Sequence, residues 1–222
     1  MGIARLGAAA LVLLALTSCQ SAAPEPTSSP TTVPEAPSPS PTPEGSGIAT
    51  IVLAADGLDL LDDGGSTVEE LGWFDDSATT IATLTDAFGE EPAEFDYEGN
   101  IESAPGVDYT WGDDAFVLRV QDFEAEAPLT SNQTVIVKAA AVGEVAIEGP
   151  EGVAVGDPAS DAASAPAWGE PFEGDDGHTV QWVKLDTVSP GDGPEENYTT
   201  GIIDLDDDVV VQLQAPAANY GV

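Results

Sequence analysis

Thr179-Val180-Gln181-Trp182-Val183-Lys184-Leu185 has a period of two. Val180, Trp182 and Lys184 fall on one side; Thr179, Gln181, Val183 and Leu185 fall on the other. Successive side chains of an extended strand leave opposite faces, so this period predicts a strand. Apolar residues occur on both sides, and the alternation alone leaves open which side meets a core. Outward from this stretch, Ile48–Leu53, Asp108–Trp111, Ala115–Val120, Thr134–Lys138, Val142–Ile147 and Val209–Leu213 alternate or are rich in β-branched residues. They too read as strands, separated by Gly, Pro, Asn and Asp. Two short helices interrupt them. One is predicted over Ser77 to Phe88, with Asp75 and Asp76 at its start, Ala78, Ile81, Leu84 and Phe88 as an apolar stripe, and Gly89 as its stop. The other begins at Asp157-Pro158 and ends before Pro166. The fold class is α+β and strand-rich.

Phe88-Gly89-Glu90-Glu91-Pro92 is matched by Trp168-Gly169-Glu170-Pro171, 80 residues later. An Asp-led helix start precedes each, and strands reaching a Trp (Trp111, Trp182) follow each. Two tandem helix-plus-antiparallel-sheet modules are one expectation, with halves at 47–130 and 131–222; chance likeness of short motifs is the other. This layout resembles the tandem modules of secreted β-lactamase-inhibitory proteins and small lipoproteins of bacterial outer-envelope assembly. Those inhibitors carry disulfides, and one Cys cannot form one within the chain. The layout implies no function.

The composition is lopsided. The 222 residues hold 41 Asp and Glu against 4 Lys and Arg, a formal charge of −37. Phosphate backbones are bound by clustered Lys and Arg, so nucleic acid is excluded as an expected partner. With one Cys and one His, Cys-based zinc sites and multi-His metal sites are excluded as well.

At the N-terminus, Arg5 precedes an apolar run from Ala8 to Leu16, then small residues. This is the layout of an export signal, too short to span a bilayer. Leu16-Thr17-Ser18-Cys19 resembles the lipobox of bacterial lipoproteins, Leu-[Ala/Ser/Thr]-[Gly/Ala/Ser]-Cys. The resemblance implies diacylglyceryl attachment to the Cys19 thiol, removal of residues 1–18, and localisation at the extracytoplasmic face of the cell membrane. Two acyl chains suffice for stable anchoring, since each buried methylene contributes about 0.8 kcal/mol. Together with the tether that follows, the motif resembles envelope lipoproteins of high-GC Gram-positive bacteria.

Residues 19–46 are expected to form that tether. Eight prolines between Pro24 and Pro43 are set in Ser, Thr, Ala and Glu, with Val33 the one large apolar residue. Such a composition cannot offset its ordering entropy and favours extended polyproline conformations. At about 3.1 Å per residue, Pro24 to Pro43 reaches roughly 60 Å. The remaining segment, 47–222, is the acidic domain. It holds 38 of the acids and three bases, Arg119, Lys138 and Lys184.

No catalytic constellation is found in the domain. His178 is the only base for a Ser triad, and no Gly-x-Ser-x-Gly elbow accompanies it. Asp62-Asp63-Gly64-Gly65-Ser66 lacks the Lys of a phosphate loop. Asp204, Asp206 and Asp208 alternate, so an extended chain would align three carboxylates as a candidate Ca²⁺ site; a hairpin turn with solvated acids competes with this reading. Asp56, Asp59, Asp62 and Asp63 form a second acidic cluster. Trp73, Trp111, Trp168 and Trp182 are candidate core residues or sugar platforms. Asn132 and Asn197 match glycosylation acceptors, which bacterial export leaves unused. The expected function is a membrane-tethered, non-enzymatic domain that binds or displays an envelope protein or solute. The alternatives are a Ca²⁺- or small-solute-capturing lipoprotein and a carboxylate-dependent wall or glycan hydrolase.

Overall fold

A computed structural model describes residues 47–219 apart from 102, 129, 175, 176 and 190–195, with backbone only at 218 and 219. In chain order the strands are β1 (Thr50–Leu53), β2 (Gly57–Leu61), β3 (Thr67–Gly72), β4 (Ala93–Tyr97), β5 (Gly106–Trp111), β6 (Phe116–Gln121) and β7 (Gln133–Val137). There follow β8 (Ala141–Val142), β9 (Val145–Glu148), β10 (Ala167–Glu173), β11 (Thr179–Val188), β12 (Glu196–Asp204) and β13 (Val209–Asn219). Helix α1 (Ser77–Phe88) lies between β3 and β4.

The strands make two sheets. Five form one in the order β3-β2-β1-β9-β8, with β1 and β9 parallel. Eight form the other, all antiparallel, in the order β10-β11-β12-β13-β7-β6-β5-β4. This larger sheet is two four-strand meanders, β4–β7 and β10–β13, joined where β13 pairs with β7. Period-two patterning gives each sheet one apolar face. Ile51, Leu53, Leu58 and Leu60 from the small sheet and Phe116, Leu118, Val135, Val137 and Leu213 from the large one are almost fully buried in one core.

Helix α1 has the expected bounds. The Asp76 carboxylate accepts the Thr79 N–H at its start, and Gly89 closes its end at φ 69°, a left-handed conformation that glycine adopts without steric penalty. Of the expected stripe, Leu84 is buried and Ile81 and Phe88 pack against the core, while Ala78 is exposed; Thr80 and Ala87 are buried beside them. Phe88, at the helix end, packs its ring 5.6 Å from Trp111 and 5.2 Å from Phe116.

Among the described residues α1 is the only α-helix, so the molecule is strand-rich with two sheets rather than two helix-plus-sheet modules. The expected second helix is a 3-10 turn, Ala159–Ala162. The Asp157 carboxylate turns back to accept the Ala154 N–H at 2.8 Å, and the turn has no side-chain cap. The two matched motifs also fall on different elements. Gly89 ends a helix, whereas Gly169, at φ 78°, sits where β10 shifts register between Trp168 and Phe172. The expected strand at 142–147 is a hairpin, β8 and β9. Strands β2, β3, β4, β10 and β12 were not among the expected ones.

Candidate functional site

The acids around Asp204 stand at one end of the large sheet. Asp204 closes β12 and is buried, while Leu205, Asp206, Asp207 and Asp208 form the turn into β13, with Asp208 at φ 57°. The chain here is a tight turn, so the extended alignment of Asp204, Asp206 and Asp208 does not occur. The structure groups Asp204 and Asp206 with His178 instead; one ligand-type atom from each lies within 4.8 Å of the others. These atoms are already engaged. Asp204 Oδ1 accepts the Asp206 and Asp207 N–H groups at 2.8 and 3.1 Å, and Oδ2 lies 2.6 Å from His178 Nδ1. Asp206 Oδ2 accepts the Thr179 N–H at 2.7 Å. Burial works against the charged form of Asp204, but the two backbone donors and His178 outweigh it and hold this carboxyl below its ordinary range. One nitrogen and two occupied carboxylates are far from the six to eight oxygens that Ca²⁺ takes. The arrangement acts as a clamp that ties the start of β11 to the β12–β13 turn.

The second acidic cluster is also divided by the fold. Asp62 caps the β2–β3 turn, its Oδ1 accepting the N–H groups of Gly64 and Ser66. Asp59 lies on β2 directly opposite Glu70 of β3. Burial first, then Glu70 and Asp56, raise its pKa.

A different region combines aromatic and polar groups in a regular array. Residues opposite one another in antiparallel strands share a sheet face. Across the large sheet, Trp168 opposes Trp182, Trp182 opposes Ile202, and Ile202 opposes Gln212. The next row runs Lys184, Thr200, Gln214, Ile136, Val117, Thr110. This face lies opposite the core-lining face of Val183, Leu213, Val135 and Phe116. The side of β11 that the alternation left open is therefore settled: Val183 faces the core, and Val180, Trp182 and Lys184 lie on the other face, where they are half-buried. Trp168 stacks edge-on against Trp182 at 5.1 Å and Tyr198 at 5.3 Å, and remains 41% exposed. Phe172, opposite Val180, is 48% exposed.

Charges on this face are neutralised locally. Lys184 Nζ sits 4.3 Å above the Tyr198 ring and pairs with Glu196 at 3.1 Å. Arg119 makes a two-pronged pair with Asp108, at 2.7 and 2.8 Å, beneath which lies the Tyr97 ring at 3.5 Å. The Asp108 hydrogen bond strengthens the guanidinium's hold on its proton, against the opposing effect of burial. Two of the domain's three bases thus serve one sheet face. Sequence reasoning missed this array. Its one visible signal was the set Val180, Trp182, Lys184; the partner residues lie 14 to 74 residues away in the chain.

The other named residues have local roles. Trp73 and Trp111 are buried, and their indole N–H groups donate to the Ala55 and Glu90 carbonyls. Asn197 is buried in β12. Glu90, Glu91, Asp113 and Asp114 line an open cleft of about 400 Å³ with Phe95 at the β4 edge of the large sheet. Exposed Trp168 lies on β10 at the opposite edge, and Trp111, which contacts Glu90, is buried, so this cleft does not place paired acids beside an exposed tryptophan. Leu16, Thr17, Ser18 and Cys19 lie outside the described residues. No helix among the described residues is long and apolar enough to cross a membrane. No family model, curated protein or solved structure matches the chain.

Proposed function

We propose that this protein is a membrane-tethered extracytoplasmic lipoprotein that displays an acidic, strand-rich, non-enzymatic binding domain. The observation that carries the reading is Leu16-Thr17-Ser18-Cys19, which places the chain's one Cys where acylation requires it, behind an apolar leader. The Pro-rich segment 20–46 supports the tether, because its composition disfavours packing and gives reach. The strong negative charge supports display away from the membrane, since anionic lipid repels an acidic domain. The acids grouped near His178 are committed to a turn, which gives the calcium-capturing alternative no added support. The cleft at β4 lacks the exposed tryptophan that the hydrolase alternative expects beside its acids.

Fractionation of a bacterial host expressing the full chain tests the reading. The wild type is expected in the membrane pellet and released by detergent. Cys19→Ala is expected to keep its leader uncut by the lipoprotein peptidase and to incorporate no labelled palmitate. Equal palmitate labelling of both forms would rule the anchor out.

A further inference from the structure

We infer that the edge of β4 takes up an extended, Lys- or Arg-bearing segment of another polypeptide as an added strand. The inference deepens the reading of a displayed binding domain, on which it rests, by naming a partner class. Among the described residues β4 pairs only with β5, so one row of its backbone N–H and C=O groups is left without a strand partner. Four of its five residues are exposed. Its pairing with β5 runs through all five residues without a register shift, and no proline interrupts 93–97. The other edges are obstructed. Strand β8 has only two residues. Strand β10 shifts register between Trp168 and Phe172 and contains Pro171. Strand β3 shifts register against β2 and is tied to α1, where Thr83 Oγ1 donates to Glu69.

Charge decides the occupant. Two open clefts meet the strand, the one of about 400 Å³ at Ala93 and Phe95 and a second of about 500 Å³ at Asp96 and Tyr97. Four acids line the first, and Asp96, Glu98 and Asp122 line the second; neither lining includes a Lys, Arg or His. Arg119, two strands away on β6, is already paired with Asp108. Opposite charges across a strand pair attract, and like charges repel. A second copy pairing β4 with β4 about Phe95 would set Glu94 against Asp96. Residues 20–46 of the chain carry three Glu, no base, and eight prolines, which lack the N–H that a ladder needs. A basic strand instead places Lys or Arg opposite Glu94 and Asp96, while its alternate side chains meet the ring of Phe95, which is 55% exposed. The acids thus close a pairable edge to acidic chains, this one included, and leave it open to basic ones. The surrounding charge adds long-range attraction that salt weakens.

Isothermal titration calorimetry of the full chain, in an uncharged detergent, provides the test. The probe is a synthetic peptide alternating Lys and Val through five repeats. The comparisons are a Glu-Val peptide of the same length and five repeats of Lys-Pro-Pro, which keep the positive charge but lack the N–H groups of a strand. The Lys-Val peptide is expected to bind saturably, more weakly as NaCl rises, and to slow amide hydrogen exchange at residues 93–97. Glu94→Lys combined with Asp96→Lys is expected to weaken binding roughly 10-fold. Glu170→Lys combined with Glu173→Lys makes the same change of charge on β10, at the opposite edge of the sheet. It is expected to leave binding within about 2-fold, because that edge lies about 30 Å away, beyond the screening length. Four results overturn the inference: no saturable binding of the Lys-Val peptide, equal binding of either comparison peptide, equal weakening by the two double variants, or slowed exchange confined to another edge. A dimer in sedimentation that the β4 double variant dissolves would assign the edge to a second copy and overturn it as well. Where that variant fails to fold, the exchange map of the wild type decides alone. None of these results touches palmitate labelling at Cys19, so the anchor stands or falls separately.

Discussion

Asp59 and Asp204 occupy opposite electrostatic situations. Asp59 is half-buried and faces Glu70 across the strand pair, which raises its pKa. Above the ordinary Asp value of about 3.8 the folded state then holds this proton more tightly than the unfolded state. The penalty grows as pH rises through that window and is complete near neutrality. Asp59→Asn is expected to raise Tm by a degree or two at neutral pH in low salt, with the gain fading below the ordinary Asp value. Asp204 has the reverse sign. Its pKa is lowered, so its stabilisation is present above the ordinary value and is lost as pH falls through the folded value. Asp204→Asn is expected to lower Tm by a few degrees at neutral pH, with a smaller difference in acid. Thermal melts of the three proteins across pH check both signs. The acid-rich sequence showed that carboxylates abound but not which are paired. Asp204 meets His178 only because β11 and β12 bring residues 26 apart together.

Elements differed in how plainly the sequence announced them. Helix α1 carries its own cap, stripe and stop, and its bounds were legible to the residue. Asp76→Ala is expected to cost about 0.5–2 kcal/mol, and Leu84→Ala, fully buried, about 2–5 kcal/mol in urea denaturation. If Leu84→Ala were neutral, the helix would not be docked on the core as described. Strands with clean alternation, such as β7 and the mostly half-buried β11, were also legible. The strands that escaped notice include the sheet edges β3, β4 and β10, which have few or no buried residues and many acids. An edge strand has one hydrogen-bonding neighbour and no apolar rhythm to display. Strand β12 escaped for a different reason. Asn197, Thr199 and Thr200 are polar yet buried, and their place is fixed by hydrogen bonds such as Thr199 Oγ1 to the Leu53 carbonyl and Thr200 Oγ1 to the Gln214 carbonyl.

At the scale of the whole molecule, charge sets the response to solution conditions. Three bases cannot balance 38 acids, so repulsion between carboxylates opposes compaction. Salt screens that repulsion over about 8–10 Å at ordinary ionic strength. Tm is expected to rise with NaCl, and a melt indifferent to salt would contradict this. Because the acids near His178 are engaged in a turn, Ca²⁺ at matched ionic strength is expected to add little to the effect of NaCl; a large, saturable Ca²⁺ effect would restore the cation-capturing alternative. The central claim concerns how the molecule is held. Intact-mass spectrometry of the processed protein tests it most directly. The account predicts a chain beginning at Cys19 and carrying a diacylglyceryl group on that residue. A mass corresponding to an unmodified Cys19, or to a chain that still includes residues 1–18, would contradict it.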